Sequence, residues 1–176
     1  EIRKYIGFRH ITGIKAWGLS EKARYLSELK ETTFNKETLD VASYELAKII
    51  GSRRDYVKRV LIGYELFKII EDEAFYKIKD LDDTTFYVGY FIDSLNRSNI
   101  LDFLGIDFSK TNPIKDLNKD NLRKLTHWFF EKNDQNRTRL KGKSQDLNML
   151  NSVLGSNEAI EAFDEKGISL EKAHEF

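Results

Sequence analysis

The sequence predicts an all-α protein, and three observations carry that prediction. Proline occurs once, at Pro113, and helix interiors exclude proline while a β protein needs frequent turn breakers. Apolar residues recur at three- and four-residue spacings rather than in alternation. Polar residues suited to helix starts stand ahead of several of these runs.

In chain order, Ser20 followed by Glu21 and the spacing Ala23, Leu26, Leu29 predicts a capped helix over about 21–31. Trp17 is expected to pin the entry of the chain against it. Leu46, Ala47 and Ile50 share a face and predict a short helix over 43–50, closed by Gly51. Val57, Val60, Leu61 and Tyr64 recur on one side of a longer helix over 53–70. The acidic cluster Glu71, Asp72, Glu73 and then Asp80, Asp82, Asp83 suggests a domain boundary, placed between residues 80 and 81. Further helices are expected at about 84–94, 99–104, 119–132, 145–153, 157–165 and from 169 to the end, with starts at Ser98, Asp120, Ser144, Ser156 and Ser169. The polar stretch Asn133 to Ser144 interrupts the pattern and predicts an exposed loop.

Composition excludes several classes. With 40% apolar residues in 176, the chain can fill a core. It has no cysteine, hence no disulfide framework, thiolate nucleophile or sulfur-bound zinc. The charge-free run Thr84 to Ile92 is about half of what a membrane-spanning helix needs, so no membrane association is expected and a cytoplasmic location is. A start at Glu1 without an apolar leader suggests a piece of a longer protein. The 29 basic and 29 acidic residues balance overall but not locally. Residues 1–70 hold 14 basic and 9 acidic groups, residues 71–110 hold 4 and 9, and the remainder 11 and 11. A basic front suggests an anionic partner.

The window Ser43 to Ile62 has the parts of a helix-turn-helix: a short helix, a turn glycine at Gly51, a small Ala47 where two helices cross, and a second helix with one apolar face. Arg53 and Arg54 lie at the start of that second helix, the end that meets base edges in a major groove. Asp55 and Arg59 fall opposite its apolar face, with Tyr56 and Lys58 on the flanks. The candidate DNA-binding residues are therefore Ser52, Arg53, Arg54, Asp55, Tyr56, Lys58 and Arg59. The same four cations could equally be the solvated face of a helical hairpin, and Ser52 stands where an apolar residue usually follows the turn glycine. Arg137, Arg139, Lys141 and Lys143 are candidates for a second phosphate contact.

The order Gly18-Leu19-Ser20-Glu21-Lys22-Ala23-Arg24-Tyr25, a loop, then Tyr44-Glu45-Leu46-Ala47-Lys48-Ile49-Ile50-Gly51-Ser52-Arg53-Arg54-Asp55-Tyr56-Val57 resembles the central DNA-binding region of ParB-like proteins. The resemblance covers about residues 5 to 70, and implies double-stranded DNA as the partner. Family members carry a nucleotide-binding or nuclease module ahead of this region. Its arginine-rich signature is absent here, and Arg9 with His10, flanked by the atypical Gly7-Phe8, does not carry nucleotide binding over. The insertion Thr32 to Ala42 is longer than the family's usual connection, which marks a divergent relative.

Other constellations are set aside. His10, His127 and His174 are isolated in sequence, with none of the spacings of a helical metal site. Gly142-Lys143-Ser144 resembles the end of a phosphate loop, but Arg137 stands where that motif requires glycine, so Lys143 and Ser144 read as loop end and helix cap. No cofactor and no reaction are expected. Trp128, Phe129 and Phe130 are consecutive, so one helix cannot turn all three to one core, and at least one ring is expected to be exposed or used in a contact. The resulting expectation is a helix-turn-helix domain over 1–80 and a helical domain over 81–176 that forms a homodimer or docks a partner. Its rivals are a helical protein-interaction module and the non-catalytic half of a ParB-like nuclease.

Overall fold

The computed structural model describes residues 17–176, so Arg9 and His10 lie outside the described residues. All regular structure among those residues is helical, with no strand. In chain order the α-helices are α1 (Leu19–Thr33), α2 (Leu39–Ile50), α3 (Arg54–Asp72), α4 (Gly89–Ser94), α5 (Ser98–Leu104), α6 (Lys119–Phe130), α7 (Ser144–Leu154), α8 (Asn157–Ile160) and α9 (Leu170–Ala173). None is long and apolar enough to cross a membrane.

The chain divides into two compact units, one containing residues up to Lys68 together with Tyr87–Ile92, the other Ile69–Phe86 with Asp93–Phe176. This differs from a single cut between residues 80 and 81. Residues 87–92 return to the first unit because Gly63 on α3 leaves room for Ile92, whose Cγ1 would lie 2.6 Å from a Cβ at that position.

In the first unit, α1 buries Ala23, Leu26 and Leu29, as its spacing requires. It starts without the expected serine cap: Gly18 is the capping residue and Ser20 lies inside the helix. Trp17 meets Tyr25 edge-to-face at 5.4 Å, which fixes the approach to α1. Helix α2 begins four residues earlier than expected, since the Thr38 hydroxyl accepts the Val41 N–H at 3.3 Å and caps it there. The link from α1 is thus residues 34–38, and most of the apparent insertion Thr32 to Ala42 is helix.

The second unit departs more from the expected elements. In place of a helix from 84, the Asp82 carboxylate accepts the Thr84 and Thr85 N–H groups at 2.9 and 3.0 Å and holds a turn, leaving only Gly89–Ser94 helical. Ala74 to Lys77 form a left-handed turn, with φ between 51° and 57° at four non-glycine residues. The expected helix 157–165 is α8 followed by a π turn, Glu161–Glu165, and the last helix ends at Ala173. Helices α5 and α7 are joined by Asn99, which donates from its backbone to Asn151 Oδ1 at 2.9 Å and from its side chain to the Asn151 carbonyl at 2.7 Å.

The three consecutive rings of α6 all find partners inside this unit. Trp128 stacks on Phe103 at 5.6 Å and meets Phe163 edge-on at 4.9 Å, Phe129 is buried, and the half-buried Phe130 lies 4.9 Å from Phe86. The expected contact for one ring is intramolecular: α6 buries Leu122, Leu125, Trp128 and Phe129 on a broad face, and Phe86 covers its edge.

Candidate nucleic-acid interface

Helix α2 buries Ala42, Ser43, Leu46, Ala47 and Ile50 along one side. It ends at Gly51, whose φ of 66° and ψ of 42° lie in the left-handed region that favours glycine. The chain then turns through Ser52, whose N–H donates to the Ala47 carbonyl at 2.9 Å, and Arg53, whose carbonyl accepts the Val57 N–H at 3.1 Å. Helix α3 starts at Arg54. Its inner side, Val57, Val60, Leu61 and Leu66, is fully buried, and Ile62 and Gly63 widen that face toward Ile92. Tyr64 is half-buried beside Phe67, at 5.6 Å. Apart from Tyr64, the expected inner residues are inner.

The candidate contact residues divide by exposure. Ser52, Arg53, Arg54 and Asp55 are exposed, while Tyr56, Lys58 and Arg59 are half-buried. The Arg59 guanidinium carbon lies 6.0 Å from the Tyr56 ring centre, at the outer limit of a cation–π contact. Arg53 makes no ion pair among the described residues. Arg54 and Lys58 both pair with Asp40, the former through Nη1 at 3.2 Å to Oδ2 and the latter through Nζ to Oδ1. Asp55 stands 3.8 Å from Arg54 Nε. The Lys58 ammonium, and behind it the Arg54 guanidinium, hold the Asp40 carboxyl below the usual carboxylate range.

Asp40 is the residue that sequence reasoning missed. The signal was present once Thr38 is taken as a cap, because Asp40 precedes Ala47 by seven residues, two helical turns, and so falls on the side of α2 that faces α3. Placing the helix start at Ser43 left Asp40 in a loop and hid this relation.

The second cationic cluster belongs to the other unit. Asn133 organises the loop by accepting the Gln135 and Arg137 N–H groups at 3.0 Å each, and Arg137, Lys141 and Lys143 are exposed. Arg139 is exposed as well, but it is already engaged. Its Nη2 donates to the carbonyls of Phe163 and, at 3.2 Å, of Ile168, and its guanidinium lies 4.1 Å from the Phe163 ring centre. Phe163 lies within the π turn and Ile168 three residues beyond its end. Lys143 precedes α7 as its capping position and Ser144 begins it, with no side-chain cap.

A cleft of about 690 Å³ beside α6 is lined by Arg123, Lys124, His127, Trp128 and Arg139 among others. Within it Lys124 pairs with Asp164 at 2.6 Å, and His127 Nδ1 lies 2.9 Å from Glu131 Oε2. Among the described residues there is no group of three or more side chains suited to hold a metal. Nearby, burial and then Glu73 push the Tyr76 hydroxyl up to about 12, against the pull of Arg123. No family model, curated protein or solved structure matches the chain.

Proposed function

We propose that α2, the Gly51 turn and α3 form a helix-turn-helix that binds double-stranded DNA, with the start of α3 entering the major groove. The observation that carries this reading is the exposed run Ser52, Arg53, Arg54 and Asp55 at the start of a helix whose opposite side is buried. Base edges and phosphates can then be met without disturbing the core. The small, buried Ala47 of α2 and the left-handed Gly51 suit the crossing and the turn that such a motif needs. The resemblance to ParB-like proteins over this region supports the same reading. Arg53, exposed and unpaired by carboxylate, is the leading contact; Arg137, Lys141 and Lys143 offer a second phosphate set on the other unit. One observation favours the rival role of an interaction scaffold: Asp40 already pairs with two of the four cations, while Val41 and Tyr44 on α2 are exposed.

Fluorescence anisotropy of labelled random and genomic duplexes over a range of salt concentrations tests the proposal. Binding is expected to weaken linearly in log salt, and Arg53→Ala is expected to lower the slope by about 0.9. Undetectable binding at low salt discards DNA binding and leaves the scaffold role.

A further inference from the structure

Asp40 reaches from the first turn of α2 to the first turns of α3, one oxygen meeting Arg54 and the other Lys58. The two cations are four residues apart, hence neighbours on one helix surface. A backbone phosphate lying against the first turns of a groove-bound helix makes this arrangement: one anion with two free oxygens, each taking a charge-assisted hydrogen bond. A carboxylate and a phosphodiester carry the same single charge and the same two-oxygen edge. The exchange of one for the other also requires no unfolding at Arg54, because Asp40 and Arg54 are 51% and 48% exposed, and ion pairs at that exposure open readily; Lys58, 17% exposed, is reached from the side that Asp40 vacates.

We propose that the space between Arg54 and Lys58 is a phosphodiester subsite that the Asp40 carboxylate fills in the free protein, so that Asp40 competes with DNA for both cations. This rests on the DNA-binding reading above. Arg53 makes the first contact in this scheme, and the phosphate beside it then displaces Asp40. The freed carboxylate gathers a counter-cation as the phosphate loses its own, so the ion release expected from Arg54 and Lys58 is partly cancelled. Non-specific affinity is thereby held down, and discrimination is left to contacts beyond the pair.

Asp40→Asn keeps the shape and removes the charge. Anisotropy titrations with a labelled random-sequence duplex, with melting followed by circular dichroism, are expected to show about threefold or more tighter binding and a salt slope steeper by about 0.9. In the background Arg54→Gln with Lys58→Gln, the same substitution is expected to change nothing. Equal or weaker binding by a folded Asp40→Asn, or an undiminished gain in the double-glutamine background, overturns the subsite while leaving DNA binding by the wild type intact. Absence of binding by both wild type and Asp40→Asn at low salt removes DNA binding and the subsite together. Asp40→Ser is the second neutral variant should asparagine disturb α2.

Discussion

At the scale of the residue, charge alone does not distinguish a cation that holds the fold from one that waits for a partner. Arg137 and Arg139 are two positions apart in one loop, yet Arg137 points to solvent while Arg139 clamps two carbonyls and an aromatic ring. Removing an arginine takes its hydrogen bonds from the carbonyls that accept them. Arg139→Ala is therefore expected to cost about 1 to 2 kcal/mol in a denaturant melt, whereas Arg137→Ala stays within about 0.5 kcal/mol. Equal stabilities for the two variants would show that these contacts of Arg139 do not hold the fold. The clamp was not legible in the sequence because its acceptors are backbone atoms more than twenty residues away. Asp40 escaped differently: its contacts follow from helix periodicity, but only after the helix start is placed at Thr38.

At the scale of the element, helices α1, α2 and α3 were legible because each carries one apolar stripe long enough to fix its period, and, Tyr64 apart, the residues the spacing named are buried. The short helices were less so: the one expected at 99–104 is present as α5, but Gly89–Ser94, Asn157–Ile160 and Leu170–Ala173 fall short of their expected lengths, since such pieces are set by capping contacts and by neighbours rather than by period. The α2–turn–α3 element tests its own construction. Ala47 is 4% exposed, and Ala47→Leu is expected to overpack its surroundings at a cost of about 1 to 3 kcal/mol. Gly51 has open space around its Cβ position, so Gly51→Ala loses only backbone energy, about 1 to 2 kcal/mol for the left-handed conformation, and Gly51→Asn less. Thermal melts of the three variants separate the crossing from the turn. A harmless Ala47→Leu would show that α2 does not pack there as closely as its burial implies.

At the scale of the whole molecule, the uneven charge and the aromatic content of the second half were both visible in the sequence, and the structure bears on the second. A basic front suits a polyanion partner. The consecutive rings Trp128, Phe129 and Phe130 argued for a second copy of the chain until Phe103, Phe163 and Phe86 are seen to cover them from within the same unit. What remains of the argument for pairing is the nature of the motif itself: one helix in one groove reads few base pairs, and such motifs gain affinity in pairs on half-sites about one helical turn apart. Pairing of that origin requires DNA and not a preformed aromatic interface. Sedimentation velocity is accordingly expected to give one concentration-independent monomer species for the free protein. On a duplex carrying two half-sites it is expected to give a two-to-one complex, and on a duplex of equal length with one half-site a one-to-one complex. A stable dimer in the absence of DNA would restore an interface elsewhere on the chain, and one copy on both duplexes would leave the second unit as a buttress for a solitary reader.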